Sequence, residues 1–240
     1  MKEDICTIPI NEVFEPREGC PICRMRDMLE NRITEYITGS AMMEPDVRIV
    51  TNRTGFCYDH FAMMLTKGSR LSNALILESH LKEIQKNILR AGQKGAPGKK
   101  ELQAAQELDK SCFVCEQVQW GMQHMFGTIY SLWQSEAEFR DLYNQQPCLC
   151  LPHYTALLSG AVKGVHRRNY EAFAQATTDI VLRYAQPLEK DVTYFCSMFD
   201  YRSKGKDWGT SKDAIERAIH FLTSRKVGWN KQEDNKLGIL

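Results

Sequence analysis

The chain has 240 residues, 43% of them hydrophobic and 25% charged, the profile of a folded globular protein with room for one large domain or two small ones, which excludes disorder as the default. Its 31 basic and 30 acidic residues leave a formal charge of +1, so no global field draws it onto nucleic acid or an anionic membrane. The opening MKEDICTIPINEVF lacks the basic start and apolar core of a secretory signal, and no window reaches about 18 uninterrupted apolar residues, so a cytoplasmic protein without membrane association is expected. In that compartment nine cysteines stay reduced, and clustered thiols read as metal ligands or redox centres before they read as disulfides.

In chain order, the first motif is GCPIC, residues 19–23. Ile22, Met25, Leu29, Ile33 and Ile37 follow it at helical spacing and predict a helix. The second motif is GFCYDHF, residues 55–61. Phe61, Met64 and Leu65 form one face of a helix that begins at its C-x-x-H. Leu71, Leu75, Leu81, Ile84, Ile88 and Leu89 mark another helix, after which AGQKGAPGKK, residues 91–100, favours a flexible, solvated connection.

The pattern then begins again. SCFVC, residues 111–115, opens a helical stripe of Val114, Val118, Met122, Met125, Ile129 and Leu132, and PCLCLPHY, residues 147–154, opens a second with Tyr154, Leu157 and Leu158. Cys20 and Cys23 correspond to Cys112 and Cys115 at an offset of 92, and Cys57 and His60 to Cys150 and His153 at an offset of 93, with one inserted residue near Pro147. Val47-Arg48 and Asn52 likewise match Phe139-Arg140 and Asn144. The correspondence reads as an internal duplication.

Tyr170, Phe173, Ala174, Thr177 and Val181 share a later helical face, which Pro187 is expected to break or kink. A loop with Gly205 and Gly209 follows. Thr210 or Ser211 is then expected to cap a short amphipathic helix carrying Ala214, Ile215, Ala218, Phe221 and Leu222, with a polar tail from Gly228. The expected fold is all-α: two similar helical units from the duplication, each with a Cys₃His metal site, plus a C-terminal helical segment. The expected divisions are a first repeat over 1–93, a linker over 94–100, a second repeat over 101–186, and the C-terminal segment and tail over 187–240.

Zinc takes four ligands at tetrahedral angles, and C-x-x-C supplies two thiolates from one tight turn while a second turn supplies the rest. Chance gives roughly 0.3 C-x-x-C and 0.2 C-x-x-H pairs in such a chain, whereas this one has two of each in the same order. The halves group as Cys20, Cys23, Cys57 and His60, and as Cys112, Cys115, Cys150 and His153. Pairing of the first C-x-x-C with the second C-x-x-H is the geometric alternative. A filled shell leaves no open position for water or substrate, the mark of a structural site, so two zinc ions per chain and no catalytic residues are expected.

Two other chemistries use the same residues. Cys20 and Cys23 at a helix start suit a dithiol redox centre, although no βαβ pattern surrounds them, and an iron–sulfur cluster is allowed by ligand type. Cys6 and Cys196 read as buried, unliganded thiols. Cys148 competes with Cys150 as a ligand, and the repeat selects Cys150, which alone keeps the spacing to His153. Arg48 and Arg140 are either donors to the thiolates or exposed helix residues, and His80, His124, His166 and His220 stand singly, without a role.

Cys20-Pro-Ile-Cys23, Gly55-Phe56-Cys57-x-x-His60-Phe61 and Ser211-Lys212-Asp213-Ala214 resemble an uncharacterised bacterial family, frequent in clostridia, with paired cysteine motifs. The resemblance spans nearly the whole chain and implies a bacterial cytoplasmic protein without naming a reaction. The second half departs from it at Pro147-Cys148-Leu149-Cys150, where the Gly-Phe is missing. With no Gly-rich phosphate loop, G-x-S-x-G or H-E-x-x-H, the expected role is an interaction or scaffolding module whose partner is a protein ahead of a nucleic acid. A thiol-redox or iron–sulfur enzyme or sensor is the alternative.

Overall fold

All the regular structure among the described residues is helical, as the apolar periodicity predicts. The structure is a computed structural model that describes residues 7–91 and 95–226. In chain order the helices are α1 (Ile8–Phe14), α2 (Pro21–Thr38), α3 (Pro45–Thr54), α4 (Tyr58–Lys67), α5 (Arg70–Asn87), α6 (Lys99–Lys110), α7 (Phe113–Ser135), α8 (Ala137–Asn144), α9 (Leu151–Gly164), α10 (Arg167–Ser197) and α11 (Ala214–Thr223), with short 3-10 turns between some of them. α1 to α5 and α6 to α10 run in the same order: a leading helix, the helix after C-x-x-C, a short helix, the helix after C-x-x-H and a further long helix.

The chain forms two compact units, Arg26–His124, and Met1–Met25 with Met125–Leu240. They divide the chain differently from the sequence halves, because their boundaries fall inside α2 and α7.

In the unit Arg26–His124, Ile37, Phe56, Met64, Ile76, Phe113, Val114 and Val118 form the buried core, with Leu29, Ile33 and Phe61 against it. The stripes after the first and second C-x-x-C therefore interleave. Phe56 meets Phe61 and Phe113 edge-on at 5.3 and 6.4 Å, a favourable arrangement for ring quadrupoles. Pro45 opens α3, where its missing N–H costs nothing, and the Ser69 hydroxyl caps α5 by accepting the Ser72 N–H at 3.0 Å.

The other unit has an aromatic core. Phe14 lies 5.3 Å from Phe139, and Phe173 lies 5.6 Å from Tyr143 and 5.2 Å from Trp133. The buried hydroxyls are satisfied, Tyr143 by Thr177 at 2.9 Å and Tyr130 by the Leu157 carbonyl at 2.8 Å. A Cβ at Gly160 would overlap the Tyr130 hydroxyl and one at Gly164 its ring, so those glycines let α9 approach α7.

Several sequence expectations change here. α10 runs through Pro187 without a break. The missing N–H is outweighed by what lies beyond it: Leu188 is buried, and Asp191 pairs with Arg217 of α11 at 2.9 Å. Neither Thr210 nor Ser211 caps α11: the Thr210 hydroxyl donates to Asp191 and the Ser211 hydroxyl to the Trp208 carbonyl, while the residues before α11 form a 3-10 turn. Lys99 and Lys100 open α6, whose Glu101 carboxylate accepts the Gly98 N–H at 2.9 Å. Cys196 is exposed, not buried. Cys6, Lys94 and the tail from Gly228 lie outside the described residues.

Candidate metal centres

All eight predicted ligands sit at helix N-termini. Cys57 and Cys150 are the N-cap residues of α4 and α9, and His60 and His153 follow three residues later in the first turn. Cys20 and Cys112 directly precede α2 and α7, with Cys23 and Cys115 in the first turn. Each leading cysteine carbonyl accepts the N–H four residues on: Arg24, Phe61, Glu116 and Tyr154 donate at 3.3, 3.0, 3.0 and 2.9 Å. An N-cap and the third helical residue project from the same side of the first turn, as in a capping box, so C-x-x-C and C-x-x-H each deliver two donors to one point. The positive ends of the helix dipoles face those points and favour thiolate.

The eight residues form two groups, each with its donor atoms within 4.8 Å of one another: Cys20, Cys23, Cys150 and His153, hereafter site A, and Cys57, His60, Cys112 and Cys115, site B. This corrects the grouping by halves. The C-x-x-C of each half meets the C-x-x-H of the other, because the α7 stripe packs on residues of the first half and carries Cys112 and Cys115 to α4. Each compact unit holds one complete site. Cys148 is buried but belongs to neither group, as the repeat spacing predicts.

The separations suit a single ion. In site A the His153 Nδ1 lies 3.0, 3.4 and 3.6 Å from the sulfurs of Cys150, Cys23 and Cys20, and Cys23 lies 3.7 Å from Cys150. In site B the His60 Nδ1 lies 3.1, 3.3 and 3.5 Å from Cys57, Cys112 and Cys115, and Cys57 lies 3.9 Å from Cys115. A tetrahedral ion with metal–sulfur bonds of about 2.3 Å and metal–nitrogen bonds of about 2.0 Å has sulfur–sulfur edges of about 3.8 Å and sulfur–nitrogen edges of about 3.5 Å. These edges match within about half an ångström, and the remaining donor pairs lie within 4.8 Å.

Different devices hold the two loops before C-x-x-H. At site B, Gly55 turns with φ 58°, its carbonyl accepts the Phe113 N–H at 3.0 Å, and Ser111 donates to the Thr54 carbonyl at 2.7 Å, tying that loop to the C-x-x-C turn. His80 packs on Gly55 and bonds the Asn52 carbonyl at 3.0 Å. At site A, Cys148 and Leu149 stand where Gly55 and Phe56 stand in the repeat, and Pro21, which has no N–H, stands in place of Phe113. There the fully buried Gln146 anchors the loop by donating to the carbonyls of Phe14 and Leu142 at 2.8 and 3.0 Å.

The electrostatics are those of packed thiols sharing charge. Burial alone pushes the Cys20 thiol up, but hydrogen bonds from Cys150, Cys23 and His153 hold it well below the usual range. Hydrogen bonds within the cluster, and then burial, push Cys23 up, and the hydrogen bond from Cys20 helps push Cys150 up to about 12. One thiolate, that of Cys20, is thus favoured in site A, and further ones need a cation. At site B, burial followed by the Cys112 charge pushes Cys115 up to about 12, and burial pulls His60 down toward the neutral imidazole that binds metal.

Two residues the sequence reading missed adjoin the sites. Arg24 follows Cys23 directly; burial pulls its guanidinium down, while the charges of Cys20, Glu18 and Cys23 hold it up, and its Nε donates to the Val13 carbonyl at 3.0 Å. It would offset the net negative charge of three thiolates on a bound divalent ion. Its counterpart in the repeat is Glu116. Glu30 lies 3.9 Å from His60 Nε2, on the side of the ring away from the thiols, the usual place for a carboxylate that orients a metal-binding imidazole. The repeated arginines take another role. Arg48 donates to the carbonyls of Met42 and Leu75, and Arg140 to those of Gln134 and Trp133, so both are half-buried backbone clamps.

A family model described as a family of unknown function, DUF6062, matches residues 1–228. The chain belongs to this family. No curated protein and no solved structure matches it. Membership thus brings no reaction, and the chemistry rests on the two Cys₃His groups, each able to hold a metal ion. No helix among the described residues is long and apolar enough to cross a membrane. A cavity of about 620 Å³ between α3, α5 and α6 includes none of the eight ligands in its lining.

Proposed function

We infer that this is a zinc protein whose two Cys₃His sites are structural, and that it acts as an interaction or scaffolding module for a protein partner in the bacterial cytoplasm. The observation that carries the zinc reading is the donor set of each site, three sulfurs and one imidazole nitrogen within 4.8 Å of one another, enough to fill the four positions of a tetrahedral ion. Thiolate and imidazole donors suit zinc among the common divalent ions. The required thiolates need a reducing compartment, which supports the cytoplasmic assignment. An iron–sulfur cluster spreads its ligands over several irons and needs a wider cage than donors all within 4.8 Å provide.

The sites close each unit by joining residues far apart in the chain, 127 positions in the case of Cys23 and Cys150. Structural zinc in small domains contributes on the order of 10 to 16 kcal/mol of apparent binding free energy, at least as much as the roughly 5 to 15 kcal/mol net stability of a domain. An internal duplication belongs to the same reading. It is supported by the repeated helix order and by Arg48 and Arg140, which each donate to the carbonyl six residues earlier.

Elemental analysis and a visible spectrum of protein purified without oxygen test the proposal. Two zinc ions per chain and a colourless protein are expected. Stoichiometric iron with sulfide would overturn the zinc assignment.

A further inference from the structure

The two sites differ in access. In site A, Cys20, Cys23, Cys150 and His153 are 2%, 4%, 1% and 9% exposed, so an oxidant reaches no sulfur without local opening. In site B, Cys112 and His60 are buried, Cys57 is half-buried and Cys115 is exposed. The 3.9 Å sulfur pair, Cys57 and Cys115, is on this accessible side. A metal ion would hold both sulfurs as thiolates, the form that attacks peroxides, and access then decides which site reacts.

We propose that Cys57 and Cys115 form a hydroperoxide-reactive thiolate pair, whose oxidation to a disulfide releases the ion of site B and leaves site A loaded. The inference rests on the metal reading above. The Cys115 sulfur attacks the nearer peroxide oxygen; the O–O bond breaks, the alkoxide or hydroxide leaves with a proton as alcohol or water, and Cys115 becomes a sulfenic acid. The Cys57 sulfur then displaces the sulfenic hydroxyl, which takes a second proton and leaves as water. The peroxide gains two electrons, the sulfur pair loses two, one S–S bond forms, and two metal–sulfur bonds are lost. Disulfide formation requires the sulfurs to close from 3.9 Å to about 2.05 Å. Cys112 and His60 remain as two ligands, too few to retain the ion.

The exposed Cys196 is a competing thiol, so the test uses the full chain carrying Cys196→Ser beside the wild type. Metal content is measured first. The protein is then treated with hydrogen peroxide while a chromophoric chelator records release, and cross-linked peptides are mapped by mass spectrometry. Expected are two ions at the start, release of one with formation of a Cys57–Cys115 peptide link, and loss of the second about tenfold or more slowly. Reductant and zinc should restore the first. Two ions that leave together, site A emptying first, no release at all, or a link that excludes Cys57 would overturn the inference while leaving the zinc reading intact. Fewer than two ions at the start would sink the zinc reading, and this inference with it.

Discussion

Sites A and B use the same four donors at the same helix positions, yet one is sealed and the other borders solvent. Site A has four buried ligands, a neighbouring Arg24 and a loop pinned by Gln146. Site B has an exposed Cys115, a carboxylate beside its imidazole, and Glu116 where site A has arginine. Ligand identity sets which ion is held; the surroundings set how readily it leaves. The sealed site should behave as part of a core and the open one as an exchangeable clamp.

The largest expected effect breaks both. Stripping the metal with a strong chelator should remove helix content and lower the melting temperature, with Zn²⁺ restoring both if the thiols stay reduced. The site B ion should leave first, and the site A ion only as its unit opens, measured as two kinetic phases. The response to pH should differ with loading. Loaded protein loses stability as pH falls, because protons compete with the ion for thiolate. In metal-free protein the thiols of Cys115 and Cys150 are raised from the ordinary 9.0 to about 12. The stability these two contribute is present below 9.0 and lost as pH rises toward about 12. Melting temperatures across pH for both forms check this.

Single substitutions sharpen the contrast. Cys150→Ser should cost the site A ion and leave one metal per chain, whereas Cys148→Ser should keep two. Gly55→Ala should act on site B alone, since its φ of 58° is strained for alanine and the new Cβ would sit 3.0 Å from Leu108 and 3.2 Å from His80. A loss of about 1 to 3 kcal/mol is expected by thermal or denaturant unfolding, with site A affinity unchanged. The smallest effect belongs to Glu30→Gln, which removes the carboxylate beside His60 and should weaken site B by about tenfold in a competitive zinc titration.

Much of this was legible in the chain because ligand chemistry and helix periodicity are local. C-x-x-C and C-x-x-H name their donors by spacing alone, and the stripe from Ile22 to Ile37 announces α2. The repeat distinguished Cys150 from Cys148, since only Cys150 keeps the spacing to His153. The grouping was not local: it depends on Val114 and Val118 packing with Ile37 and Met64, and correspondence between repeats says nothing about which repeat packs on which. That α10 continues past Pro187 instead of breaking there is not local either, because contacts such as Asp191–Arg217 that outweigh one missing hydrogen bond lie outside the helix. Arg24 gave a faint signal by following Cys23 directly. Glu30 gave none, because its partner His60 is distant in sequence.

The account's central claim is the crossed pairing of the two motifs, and metal counting on two double variants tests it most directly. Cys20→Ser with Cys150→Ser damages site A twice and should leave one zinc per chain; Cys20→Ser with Cys57→Ser damages both sites and should leave none. The reverse outcome, one ion retained by the second variant and none by the first, would place the ligands by sequence halves and contradict the account.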